Sequence, residues 1–195
     1  MSFLDKIAAT LAPAASDEDR MKARQQAEQI GGSEPWLRAI VDHHKQIETL
    51  IDEVINGPDA SRRREALKEF MVVLTGHSVA EEVVIYPDIA EESSKAHAAM
   101  AYEEQSMTKV QVAMLEKIDP MSQEWQDKGE HIRSALQQHI YQEESSWYPT
   151  LADKLSSTEK ARMTERYNEE YQRYVGGAGG QMGSSSRMTT AQTFV

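Results

Sequence analysis

The sequence predicts an all-α protein: an up-down-up-down four-helix bundle with an N-terminal helical arm, an added C-terminal helix and a disordered tail. Three observations lead there. Apolar residues recur at steps of three and four through four long segments separated by short Gly- or Pro-bearing connections. The 195 residues are 39% hydrophobic, which supports one sizeable core. One pattern, H-x-x-x-E-E-x-x-x-Y-P, occurs from His77 to Pro87 and again from His139 to Pro149, and reads as an internal duplication with one copy in each half of a bundle. The expected organisation is an arm over residues 1–32, the bundle over 33–153, the added helix over 154–175 and the tail over 176–195.

The arm opens on a short apolar patch of Phe3, Leu4, Ile7 and Leu11. After Pro13, Ser16 or Asp17 can cap a helix that passes Met21, Ala23 and Ala27 and stops at Gly31-Gly32. The first bundle helix starts at Ser33 to Pro35 and ends at Asn56-Gly57-Pro58. Its apolar stripe, from Trp36 and Leu37 through Ile40, Val41, Ile47, Leu50 and Ile51 to Val54, is interrupted by His43 and His44. At about 100° per residue, His44 lies nearer the centre of that stripe.

The second helix begins near Ser61, carries Leu67, Phe70, Leu74, His77, Ser78, Glu81 and Ile85 on one face, and is expected to end at Pro87. Glu82, a quarter-turn away, is expected in solvent. The third spans about Ser94 to Ile118, with Met100, Met107, Val110, Met114 and Ile118 as its expected main core stripe and Ala101, Val112 and Leu115 alongside. The fourth runs from Ser122 or Gln123 to Pro149 and aligns Ile132, Leu136, His139, Glu143 and Trp147. His131 is about 12 Å from His139 along that axis, too far to share an ion, and is expected at the surface. Ser156-Ser-Thr-Glu159 is a capping box for the added helix, which passes Met163, Tyr167, Tyr171 and Tyr174 to Gly176-Gly177 before the Gly- and Ser-rich tail.

A His and a Glu four residues apart are ordinary on an exposed helix, where they form a solvated pair. Here both pairs, His77 with Glu81 and His139 with Glu143, lie on core-facing stripes. A carboxylate buried there must be paired or bound to a cation, because burying its charge alone is prohibitive. With no cysteine in the chain, a metal would be held by imidazole and carboxylate, which suits iron, manganese or zinc. His44 precedes His77 by 33 residues, and the same interval before His139 falls near Gln105 and Ser106, so the imidazole that the duplication calls for is missing. The formal net charge of -11 repels phosphate backbones and anionic membranes, so neither nucleic acid nor a membrane is expected as a partner. The start of the chain has no basic segment followed by a long apolar run, and the expected location is cytoplasmic.

His44, the two His/Glu pairs, and the segments Asp42-His-His-Lys-Gln-Ile47 and Tyr102-Glu-Glu-Gln-Ser-Met-Thr-Lys109 resemble the bacterial hemerythrin-like proteins, the HHE cation-binding domain family, over about Pro35 to Leu151. The family pattern is one His on the first helix, H-x-x-x-E on the second, one His on the third and H-x-x-x-E on the fourth. The chain departs from it at Gln105. The resemblance implies a non-haem di-iron centre with Glu81 and Glu143 as bridges, imidazoles of His44, His77 and His139 in outer positions, and one place open for dioxygen, peroxide or nitric oxide. At Gln105 a weaker donor or a water is expected, so two irons are expected and one is the fallback; Glu104, closer to the third helix's apolar stripe than Gln105, is a candidate substitute ligand.

Three functions follow as expectations. The first is a non-haem iron protein that binds or senses dioxygen, peroxide or nitric oxide, in stress response or iron handling. The second is a catalase-like di-iron enzyme that decomposes peroxide, favoured if Gln105 leaves room for a second exogenous ligand. The third is a bundle with impaired metal binding that acts through protein contacts of its ends, arm or tail; a homo-oligomer is also open.

Overall fold

The structure, a computed structural model, describes residues 15–182, with side chains through residue 177. In chain order its α-helices are α1 (Asp17–Gly31), α2 (Pro35–Asn56), α3 (Ala60–Ala80), α4 (Tyr86–Glu92), α5 (Lys95–Leu115), α6 (Gln123–Gln142), α7 (Tyr148–Lys154) and α8 (Ser157–Met182). The described residues contain no strand. The starts fall where a side chain can satisfy a free backbone N–H: Ser16, Asp59, Ser94 and Ser122 each accept from the N–H three residues on, opening α1, α3, α5 and α6. Pro35 occupies the first turn of α2, where its missing N–H removes no bond. The expected capping box opens α8, with Ser156 N–H donating to Glu159 at 2.8 Å.

The helices do not end at Pro87 and Pro149. A π-helical turn, Glu81–Ile85, carries α3 into α4, and an equivalent turn, Glu143–Trp147, carries α6 into α7. A proline inside an α-helix has no N–H to donate to the carbonyl four residues back, and its ring presses on that carbonyl. The wider turn relieves both problems, with the N–H of Tyr86 bonded to Glu81 O and that of Tyr148 to Glu143 O, so each proline falls in the first turn of the next helix.

Four rods therefore form the bundle: α2, α3 with α4, α5, and α6 with α7. Neighbours run antiparallel, as their short connections require. Glu104 reaches His139 while Lys128 reaches back to Gln111 across α5 and α6. Trp125 Nε1 donates to Val54 O at 2.9 Å at the other end of α2 and α6 from the contact of His44 with Glu144. Gly129 allows α6 this approach, since a Cβ there would lie 2.7 Å from Ile55 Cγ1. The arm helix α1 lies over α2 and the second π turn, and α8 packs on α3 and α2.

The apolar interior is split into two clusters. One holds Trp36, Leu37, Ile40, Ile85, Trp147 and Leu151; the other holds Ile47, Ile51, Phe70, Leu74, Trp125 and Leu136. Between them each rod contributes one polar step: His44, His77 with Glu81, Gln105, and His139 with Glu143, all buried.

Several expectations need correction. On α5 the buried face is Ala98, Ala101, Gln105, Thr108, Val112 and Leu115, whereas Met107, Val110 and Met114 are exposed. The phase differs from the expected stripe because two core-facing positions of α5, Gln105 and Thr108, are polar, while Met107, Val110 and Met114 point outward. The added helix continues to Met182, five residues past Gly177, rather than stopping at Gly176-Gly177. Glu82 is half-buried and pairs with Lys109 Nζ at 2.6 Å rather than standing in solvent. The patch from Phe3 to Leu11 and residues 183–195 of the expected tail lie outside the described residues. Among the described residues, no helix is long and apolar enough to cross a membrane.

Candidate metal centre

The polar layer brings together all six residues singled out from the sequence. His77 and Glu81 share the inward face of α3 and its π turn, with His77 Nε2 3.1 Å from Glu81 Oε2. Their repeat counterparts, His139 Nε2 and Glu143 Oε1, lie 3.3 Å apart. From α2, His44 Nε2 faces Glu143 Oε2 at 3.2 Å and Glu81 Oε1 at 3.9 Å. Two groups of donor atoms could hold a metal ion, His44 with His77 and Glu81, and Glu81 with His139 and Glu143. Glu81 belongs to both. Gln105 faces the layer, but its Nε2 donates to Glu81 Oε2 at 2.6 Å, and its Oε1 has no partner.

Each imidazole is gripped from behind by a different element. His44 Nδ1 meets Glu144 Oε1 at 2.7 Å, and Arg24 of α1 clamps Glu144 with Nε 2.8 and 2.7 Å from its two oxygens. His77 Nδ1 meets the Tyr167 hydroxyl of α8 at 3.0 Å. His139 Nδ1 meets Glu104 Oε2 at 2.8 Å. Such outer partners fix which ring nitrogen carries the proton and leave the other free for a cation. Glu104 is therefore the support of His139 and does not enter either donor group as a substitute for Gln105. His43 turns away from the layer to Tyr167 and stacks on Tyr171, and His131 is exposed.

Sequence reasoning missed the tyrosines. Tyr86 lies 2.9 Å from Glu143 Oε1 and 3.2 Å from Glu81 Oε2, and Tyr148 lies 2.7 Å from Glu143 Oε1 and also donates to Glu81 Oε1. The signal for them is the shared Tyr-Pro of the repeat, Tyr86-Pro87 and Tyr148-Pro149, which by itself looks like a helix stop.

The electrostatics are those of crowded charges without water. Burial pushes Glu81 up, and repulsion from Glu143 adds to it, to about 8. Burial also pushes Glu143 up, but the charges of His139 and His44 beside it outweigh it and hold that carboxyl below its usual range. For His44, burial works against the charged form, yet the Glu143 carboxylate beside it and the hydrogen-bonded Glu144 bring it to about 10. His139 is likewise raised to about 9 against burial, by Glu143 and Glu104. His77, whose outer partner is a phenol rather than a carboxylate, is pushed well below its usual value by burial and by the neighbouring histidines.

Comparison with known proteins decides the family. The hemerythrin HHE cation-binding domain matches residues 37–151. This chain belongs to that family. The match runs from within α2 to within α7 and leaves α1 and α8 outside it, although α1 bonds to Glu144 behind His44 and α8 bonds to His77. The chain is also 28% identical over 131 residues, 67% of its own length, to a protein named DNA nickase from Nostoc sp. (strain PCC 7120 / SAG 25.82 / UTEX 2576). That match covers 36% of the relative, so the HHE chain spans about a third of it. No solved structure matches this chain.

Proposed function

We propose that this HHE domain holds a pair of iron ions with His44, His77, Glu81, His139 and Glu143, and that the centre binds or senses dioxygen, peroxide or nitric oxide. The observation that carries the reading is the facing pair His44 Nε2 and Glu143 Oε2, 3.2 Å apart, both buried and both without a hydrogen-bond partner. Without a metal only charge attraction holds these two atoms together, and a cation seated against both would take the place of the His44 proton. The donor set fits iron, and manganese or zinc would find the same imidazoles and carboxylates. When bound, the metal pair supplies a change of oxidation state and a Lewis-acidic place for a small ligand.

The chain's own residues do the rest. Glu144, Tyr167 and Glu104 orient the three imidazoles, and the hydroxyl of Tyr148 holds the two carboxylates. A cavity of about 10 Å³ touches His77, His139 and Gln105 and is walled by Ile47, Leu74 and Leu136. That is about the room one water-sized molecule needs. A cytoplasmic location and a role in stress response or iron handling belong to this proposal.

The alternative, peroxide decomposition at the same centre, is supported by Gln105, which turns an amide nitrogen rather than a donor atom to the layer. The reading as an interaction protein, through a partner or a second copy, draws on the exposed face of Met107, Val110 and Met114. The name of the relative raises a DNA-directed role. We keep the absence of a nucleic-acid partner as the proposal, because a formal net charge of -11 opposes contact with phosphates.

The test is metal content per chain, on protein purified without a metal-affinity tag, with spectra after anaerobic loading with Fe(II) and exposure to air. Two irons per chain and ferric charge-transfer absorption support the proposal; a chain that takes up no metal sinks it. Peroxide consumption far beyond stoichiometry would move the reading to the enzyme, and nicking of supercoiled plasmid would overturn the exclusion of DNA.

A further inference from the structure

Tyr86 has more close polar neighbours than a phenol can serve. Its oxygen lies 2.5 Å from Gln105 Nε2, 2.9 Å from Glu143 Oε1, 3.2 Å from Glu81 Oε2 and 3.3 Å from His139 Nε2. A phenol has one proton to give and two lone pairs to share, which makes three partners rather than four. Donor atoms around one metal ion keep similar company: with bonds of about 2.0–2.2 Å, ligands at right angles lie about 3 Å apart. Tyr86 keeps about that separation from Glu81, Glu143 and His139, the three members of the second donor group.

That group is also the deficient one. The first group has two imidazoles, and the second has only His139. The missing nitrogen belongs at Gln105, whose amide nitrogen, unable to bind a cation, faces Tyr86. The backbone is shaped to bring the phenol there. In an α-helix, residue i+5 points about 140° away from residue i. The π turn winds more slowly and returns Tyr86 to the face of Glu81. Tyr148 has the same turn beneath it, but its hydroxyl hydrogen-bonds to the carboxylates of Glu81 and Glu143 and to no imidazole.

We propose that Tyr86 is a metal ligand, its phenolic oxygen completing the group of Glu81, His139 and Glu143 in place of the histidine absent at position 105. This rests on the reading that the centre binds metal. The phenolic proton passes to solvent as the oxygen binds. A phenolate is a hard, anionic donor and favours ferric over ferrous iron. The centre would then rest oxidised, which suits peroxide chemistry or sensing more than reversible carriage of dioxygen.

The test uses the full chain, loaded anaerobically with Fe(II) and then oxidised in air. The wild type is expected to show a tyrosinate-to-iron charge-transfer band in the visible, with tyrosine ring modes in its resonance Raman spectrum. Tyr86→Phe, which keeps the ring that fills the core, is expected to lose the band and to drop from two irons per chain to one. If that variant fails to fold, Gln105→His decides: the new imidazole competes for the position, and the band should fall at least twofold. Iron uptake without the band, a band that survives Tyr86→Phe, or one unchanged in Gln105→His overturns the assignment and leaves the metal-binding reading standing. A wild-type chain that takes up no metal overturns both.

Discussion

The hydroxyl of Tyr167 lies 3.0 Å from His77 Nδ1 and 2.9 Å from His43 Nδ1, so a residue of α8, beyond the matched domain, completes the support of the central layer. One O–H can donate to only one of the two rings. His77 must give its Nδ1 proton to Tyr167 if its Nε2 is to face Glu81 as an acceptor, and Tyr167 then donates to His43. His43 is suited to accept, because burial, followed by the neighbouring His44, lowers it to about 4.

Tyr167→Phe should therefore loosen His77 without emptying the core. Metal affinity is expected to fall about 10- to 100-fold, measured by competition with a chelator, with a loss of about 1 kcal/mol in metal-free stability. Unchanged affinity would show that His77 is held by its helix alone.

Arg24 is the cation bonded to buried Glu144, and α1 supplies it. Arg24→Ala leaves that carboxylate beside His44 alone and should destabilise the chain by about 2–3 kcal/mol, less than a fully buried pair because Arg24 keeps some contact with water. Urea unfolding should show a lower midpoint at an unchanged slope.

Glu81 and Glu143 are chemically equal in the sequence and unequal in the fold. In metal-free protein at pH 7, Glu81 with its value near 8 is mostly protonated, whereas Glu143 is ionised against His139 and His44. Glu81→Gln should change metal-free stability by less than about 1 kcal/mol, and Glu143→Gln should cost about 3 kcal/mol. Both should lose metal. Equal losses in denaturant titrations of the two metal-free variants would contradict this division of charge.

The metal-free fold should weaken on the alkaline side. His44 and His139, raised from 6.5 to about 10 and about 9, stabilise fully below pH 6.5 and lose that contribution as pH rises through their folded values. Glu81, raised from 4.5 to about 8, works in the same direction, since the unfolded chain ionises first and stability drops between those values. His43 and His77, lowered in the fold, cost stability as pH falls below 6.5. Melting temperature of the metal-free chain is expected to decline from pH 6.5 to 10 and to decline less when metal replaces these protons. Metal uptake at pH 7 should release protons into weakly buffered solution.

Spacing along the chain was enough for the four bundle rods, the caps at Ser16 and Ser156, and the polar layer. Local hydrogen bonding sets the caps at Ser16 and Ser156, and a His and a Glu four apart on an apolar stripe must point inward wherever that stripe is buried. Packing settled what periodicity leaves open. The stripe of Met107, Val110 and Met114 is as helical as any other, and it faces outward because Gln105 and Thr108 take the inner positions of α5. Pro87 and Pro149 look like stops until the two π turns absorb them and swing Tyr86 and Tyr148 onto the carboxylates. Glu104, Glu144 and Tyr167 find their imidazoles across 35, 100 and 90 residues of chain. No local period records such distant partners, because they depend on how the rods pack against one another.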